Sequence, residues 1–270
     1  MKDQTAPVVN PSAIFMLATS LTVAALTIIA SMAGIISPAR FYPSEALRQF
    51  ALANDVTNLI IGVPILLGSI WLDRRGKYIG QLLWPGALMY TLYNYLAYVV
   101  ALPISWLYIA YLLIVALGIY SLVPAVANID FDTAQARLKG RVPDHFAGAV
   151  LLLLGGFVFI RVFGVITSAE LSAATVEITE RSLLLADALL APAWIIGGVM
   201  LWMRKPLGYA TGLALLFQGS MLFIGLIVVF LLQPLVISAA IPWLDIVVVS
   251  LMGLICFVPL VLYWRGISRS

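Results

Sequence analysis

Charge is what this sequence has least of. Only 10% of its 270 residues are charged and 63% are hydrophobic, whereas a soluble domain carries about 25% charged residues. A water-soluble fold of this length has no way to hide so much apolar surface. Cysteine occurs once, as Cys256, which excludes a disulfide within the chain and leaves the redox compartment unread. Histidine also occurs once, as His145. A zinc or haem site built from several His or Cys ligands is therefore excluded, and no cofactor or metal is expected. No basic stripe lies outside short loops, so nucleic acid is not an expected partner. The H-E-x-x-H, Walker A and G-x-S-x-G patterns are missing.

What is present is a series of long apolar runs. A membrane span needs about 20 mostly apolar residues. The runs predict eight spans, at 13–36, 52–72, 79–102, 106–127, 147–167, 183–203, 208–232 and 241–264. They are continuous rather than alternating, which favours helices over a barrel. The expected fold is an all-α membrane protein forming a single membrane domain over 1–270. The first run is too long for the apolar core of a signal peptide and is expected to be retained as a span.

Cationic loops set the expected orientation. Arg74, Arg75 and Lys77 follow span 2, Arg137, Lys139 and Arg141 follow span 4, Arg204 and Lys205 follow span 6, and Arg265 and Arg269 lie in the tail. Eight spans put all of these on one face, so both termini are expected to be cytoplasmic, in the inner membrane of a prokaryote. Residues 128–146 form the one long cytoplasmic segment. Its Asp130, Asp132, Asp144 and His145 allow a cation site, but a solvated linker is the plainer reading.

The two halves match in order. Asp55 and Asp187 open spans 2 and 6, and Gly76–Gly80 meets Gly208–Gly212 at the same offset of 132. Leu82–Gly86 then meets Leu215–Gly219, and Leu117–Pro124 meets Met252–Pro259. A duplication is expected, with one four-helix repeat over 13–127, a linker at 128–146 and a second repeat over 147–264. Four spans per repeat would give both copies the same orientation, with a site expected at the interface between halves. The paired Gly-x-x-x-Gly sequences, Gly155-Gly156 and Gly197-Gly198 are read as close helix packing.

Ionisable groups inside a membrane are costly and mark functional positions by default. Counted at 1.5 Å per residue, Asp55, Asn58, Tyr90, Tyr93, Asn94, Arg161, Asp187 and Asp245 fall in one stratum of the outer half. Each acid sits near a predicted helix start, where capping is the plainer explanation. Arg161 is the one cation well inside a span and needs an anion. Asp187 is the first choice of partner, with Asp55 or Asp245 next. Trp106, Trp243 and Tyr95 are read as interface anchors.

The run Asp55-Val56-Thr57-Asn58 to Trp71, then Arg74-Arg75-Gly76, Leu83–Leu88 and Tyr93-Asn94-Tyr95, resembles a family of uncharacterised prokaryotic multi-pass membrane proteins. Pro192–Gly198 with Gly208-Tyr209 carries the same likeness. The resemblance implies a polytopic membrane location and nothing chemical. The leading functional expectation is transport or binding of a small solute or ion, with the lipid bilayer as the assured partner. A non-catalytic sensor or accessory subunit comes second, and an enzyme acting on lipid third.

Overall fold

The computed structural model describes residues 11–237 and 240–268. Met1–Asn10, with Lys2, and the tail cation Arg269 lie outside the described residues. Among those described there is no strand. Eight long helical rods account for most of the chain: α1 (Pro11–Ile36), the composite α3 (Glu45–Thr57) to α4 (Val63–Arg74), α5 (Tyr78–Ala101), α6 (Trp106–Ala127), α8 (Asp144–Ser172), α9 (Ile178–Trp202), α10 (Pro206–Ile237) and α11 (Trp243–Ser268). Two short helices, α2 (Pro38–Phe41) and α7 (Phe131–Leu138), lie between them. Seven of the rods are long and apolar enough to cross a membrane, and the chain is a multi-pass membrane protein. The exception is α5, whose Gln, Trp, Tyr and Asn residues lower its mean hydropathy.

That exception is explained by position. Seven consecutive residues of α5, Leu82 to Leu88, are buried, so neighbours cover every face of the helix. Gly212 to Ser220 of α10 are likewise all buried. The two helices form the central pair, α9 packs on both, and α3 packs on α10. On one flank, α1 and α6 pack together along their length, with buried residues from Met16 to Gly34 and from Leu107 to Ala125. Ser121 Oγ donates to Thr19 Oγ1 at 2.7 Å between them. On the other flank the cover is uneven. Helix α8 is held to α9 by Gly148 and Gly155, whose missing side chains admit the backbone of Gly198, Trp202 and Ala191. Beyond Gly155, Val162 alone in α8 is buried.

The rod from α3 to α4 contains a wide turn, Asn58–Gly62, where the Val63 N–H donates to the Asn58 carbonyl five residues back. Pro64 explains it. Proline has no N–H, and its ring crowds the carbonyl four residues earlier. Widening the helix by one residue relieves that conflict, and such bulges often accompany functional sites.

The rods are longer than the apolar runs predict. Asp55 lies well inside its rod, whose first residue is Glu45, and Asp187 lies well inside α9, so neither is a helix cap. Asp245 does fall in the first turn of α11. Residues 128–146 are not a plain solvated linker: α7 buries Ala134 and Leu138 and packs on α10. Asp130 caps α7, accepting from the N–H groups of Asp132 and Thr133. Asp144, at the start of α8, is buried, accepts from Tyr209 Oη at 2.7 Å and pairs with Arg204 at 2.9 Å. Tyr95 is fully buried against Tyr98 and Tyr111 and is not an interface anchor, unlike the exposed Trp106 and Trp243.

The basic turns gather at one end of the bundle. Gln81 Nε2 donates to the Asn128 carbonyl at 3.0 Å, Gln135 Nε2 to the Arg204 carbonyl at 2.5 Å, and Gly266 lies against Arg141. Two of these turns share one hydrogen-bond pattern. The N–H groups of Arg75, Gly76, Lys77 and Gly80 donate to the carbonyls of Trp71, Asp73, Leu72 and Lys77. Those of Met203, Arg204, Lys205 and Gly208 donate to Val199, Leu201, Met200 and Lys205. Gly76 and Arg204 both take the left-handed conformation, with φ of 69° and 56°. Each position in the second turn follows its counterpart by 128 residues (77 to 205, 80 to 208). Pro64 and Pro192 fall in the same register. This spacing differs by four residues from the offset of 132 at which Asp55 and Asp187 match in the sequence. Gly76 serves the turn, while Gly80 and Gly208 are the packing positions, against Leu72-Asp73 and Met200-Leu201.

Candidate functional site

A cavity of about 530 Å³ lies among α3, α5, α8, α9, α10 and α11, toward the end opposite the basic turns. Its size is that of a small-molecule site. Most of its wall is apolar: Phe50, Phe157, Leu222, Phe223, Leu226 and Met252 face it. Trp194 and Gly219 also line it. The Trp194 indole is fixed by donation to Gln218 Oε1 at 2.9 Å.

The polar groups are concentrated on one side. Arg161 Nη1 donates to Asp187 Oδ2 at 2.6 Å, and Tyr93 Oη donates to Asp187 Oδ1 at 2.9 Å. Both carboxylate oxygens are thereby engaged. Glu180 approaches the guanidinium only to 4.0 Å and is itself half exposed, so water screens that pair heavily. One turn beyond Tyr90 on α5, Asn94 Nδ2 donates to Asn58 Oδ1 at 3.2 Å. This bond ties α5 to the wide turn and aligns Asn94 with the cavity. Gly225 admits Tyr90, since a methyl there would meet Tyr90 Oη at 3.0 Å and Thr57 Cγ2 at 3.3 Å.

Of the sequence-predicted residues, Tyr90, Tyr93, Asn94, Arg161 and Asp187 line this cavity. Asn58 lies behind its wall, bonded to Asn94. Asp55 is elsewhere, in a closed cage of phenols. Its Oδ2 accepts from Tyr42 at 2.5 Å and its Oδ1 from Tyr98 at 3.0 Å. Tyr98 also donates to the Ala51 carbonyl. Gly34 closes the cage, for a side chain there would overlap Asp55 and Tyr42. Asp245 is exposed and joins neither group. Arg161 is paired with Asp187, the first-choice partner, and not with Asp55 or Asp245.

Sequence reasoning missed Asn54 and Thr57, although their polarity beside Asp55 and Asn58 marks them, and it missed Trp194 and the apolar wall, which carry no local mark distinguishing them from lipid-facing residues. It also missed Tyr42, which reaches Asp55 only because α2 turns the chain back over α3. Among the described residues no group of three or more His, Cys, Asp or Glu is placed to hold a metal ion.

The cavity is open at the side. Phe157 on α8 and Leu226 on α10 both line it, yet are 54% and 40% exposed. The mouth lies where α8 loses its cover beyond Gly155. Toward the basic end the cavity is shut, because α5, α9 and α10 close below Trp194 with Leu213, Leu216 and Leu201 fully buried. No protein-family model, curated protein or solved structure matches the chain.

Proposed function

We propose that this protein is a carrier or binding protein for a small molecule held in this cavity. The observation that carries the proposal is a roomy apolar chamber with its fixed polar groups on one wall, open on one side and sealed toward the other end. Such a shape is one state of an alternating-access cycle. Arg161, Asp187, Tyr93 and Asn94 would orient the bound molecule, and the apolar wall would supply its burial.

In the same proposal α5 is an eighth span. A helix surrounded by other helices needs no apolar face toward lipid. The collection of the basic turns at one end supports an even number of crossings. By the cationic-loop rule that end is cytoplasmic, so the chamber lies in the outer half of a prokaryotic inner membrane. The shared turn geometry at an offset of 128, the matching prolines, and the exchange of contacts in which α5 packs on α9 while α10 packs on α3 support two fused four-helix repeats. Membership of the uncharacterised multi-pass family belongs to the same proposal.

The test is reconstitution of the purified chain in liposomes with a panel of small solutes. Flux that falls at least tenfold in Gly219→Leu, a change that fills the chamber floor, is the expected result. Flux that is equal in that variant, or no greater than in empty liposomes for every solute, overturns the carrier reading. One observation favours a second reading, a sensor or accessory subunit: the fully buried carboxyl of Asp55 is bonded to Tyr42 and Tyr98, away from the chamber. Co-purification with one protein at fixed stoichiometry, without flux, would select it.

A further inference from the structure

The charge balance of the chamber narrows what it holds. Its one cation and its one carboxylate are bonded to each other, with Tyr93 completing the carboxylate. A bound ion would enter a predominantly apolar space with no unmatched partner, and an unpaired charge in such a place is costly. An uncharged molecule meets no such penalty. The guanidinium still has donors to offer, because a single bond to Asp187 and a distant Glu180 account for two of its five N–H groups. Asn94 lines the same chamber and adds an amide to its polar side. A head that accepts hydrogen bonds, and can donate one, matches this pair: a hydroxyl or a carbonyl.

The remaining walls describe the rest of the molecule. On α3, Asn54 and Thr57 donate to carbonyls of their own helix, and on α8, α10 and α11 Phe157, Val158, Leu222, Phe223, Leu226 and Met252 offer no polar partner, so the body lying there is a hydrocarbon. The mouth is flanked by Phe157 and Leu226, both of which point into the chamber and out of the bundle. The side chains of α8 around it, Ile160 and Phe163, are largely exposed and apolar. Such a surface belongs against lipid chains, which makes the mouth a passage from the bilayer rather than from water.

We propose that the chamber takes an uncharged single-chain amphiphile, which arrives from the surrounding leaflet between α8 and α10. Its hydroxyl or carbonyl head lies on Arg161 and Asn94, and its chain lies along α10 and α11. This rests on the reading of the chamber as a ligand site and adds the class of ligand and its route.

The whole chain in lipid nanodiscs, photolabelled with a diazirine-bearing mono-oleoylglycerol, tests it. Label is expected on the α8, α10 and α11 segments that line the chamber. It should fall at least fivefold with excess unlabelled mono-oleoylglycerol, and also in Gly219→Leu and Leu222→Trp, each checked for an unchanged elution profile. Oleate and oleylamine should compete at least tenfold less well. The decisive variant is Asp187→Asn. It frees the guanidinium from its internal partner, so oleate should become at least as good a competitor as the neutral lipid. A greasy surface of no specificity would show no such switch. Label spread evenly over the lipid-facing sides of all helices overturns the proposal, as does preferential competition by oleate in the unaltered protein. If a water-soluble solute shows Gly219-dependent flux while no chamber label appears, the ligand class is wrong and the carrier reading stands. If neither flux nor label depends on Gly219, both fall.

Discussion

Gly86 on α5 lies against the backbone of Ala214 on α10: a methyl at Gly86 would come within 3.0 Å of Ala214 Cα and closer still to its carbonyl oxygen. Ala214 follows Gly86 by 128 residues, the displacement that relates the two basic turns. The central pair α5–α10 is held at that point by the absence of a side chain, because small residues let helix backbones approach and gain dispersion contacts.

Substitution there has a clear expected result. The obstacle is backbone, which cannot rotate away, so Gly86→Ala should destabilise by about 1–3 kcal/mol, the range for overpacked sites. Gly86→Leu should do more and enlarge the hydrodynamic radius. Gly156, beside which nothing lies within 4 Å, is the control, and Gly156→Ala should leave the melting temperature unchanged. Equal melting of Gly86→Ala and Gly156→Ala in one detergent would refute the close packing of the pair.

The ion pair of Arg161 and Asp187 should show itself as coupling. Arg161→Gln leaves a largely buried carboxylate with Tyr93 as its remaining donor, and Asp187→Asn leaves the cation with Glu180 alone. Each single change should destabilise more than a neutral site would, while the double variant should be milder than the sum. A coupling of about 1 kcal/mol is expected, because the guanidinium is partly solvated. Thermal unfolding of the four proteins in one detergent gives the cycle. Strict additivity would mean the two groups do not interact.

At the basic end, acid should loosen α7. The hydroxyl of Thr133, its backbone N–H and that of Asp132 hold the Asp130 carboxyl below the ordinary carboxylate range. A lowered value means that the cap is fully formed above that range and is lost as pH falls through it. Protection of the Ala134–Leu138 amides, taken relative to the unfolded chain at the same pH, should therefore fall below about pH 4, and in Asp130→Ala it should be low at every pH. Unchanged protection of α7 in acid would show that the cap does not hold the helix.

Much of this architecture was readable because lipid imposes a simple rule: every backbone group must be bonded within its own helix. Long apolar runs then announce helices, and Arg161, as a lone cation among them, announced the need for Asp187. What stayed hidden has equally physical causes. The runs mark where the chain is apolar, not where the helix begins, so Asp55 and Asp187 were read as near the ends of rods that extend well beyond them. The sequence match of Gly76 with Gly208 joins a glycine used for its positive φ to one used for close packing, two uses a letter does not separate. The apolar wall of the chamber and the lipid-facing surface are built from the same residue types. Only the loss of cover over α8 beyond Gly155 tells them apart.

The cage around Asp55 yields a test that separates architecture from function. The single O–H of Tyr98 is shared between the Ala51 carbonyl and Asp55 Oδ1, and Tyr42 donates to Oδ2. Tyr98→Phe would strip a donor from two buried acceptors at once, and an unsatisfied buried group costs about 1–3 kcal/mol. Asp55→Asn is a gentler change. Its oxygen can still accept from Tyr42, and its amide can donate to the Tyr98 oxygen while that hydroxyl keeps its bond to Ala51. The expected order of melting temperatures is unaltered protein, then Asp55→Asn, then Tyr98→Phe. If Asp55 serves only to pack α3 against its neighbours, flux or ligand labelling in Asp55→Asn should follow this small loss of stability. Abolished flux in Asp55→Asn with a near-native melt would instead assign the carboxylate a proton-handling role that an amide cannot fill. A lower melting temperature for Asp55→Asn than for Tyr98→Phe would contradict the bonding scheme of the cage itself.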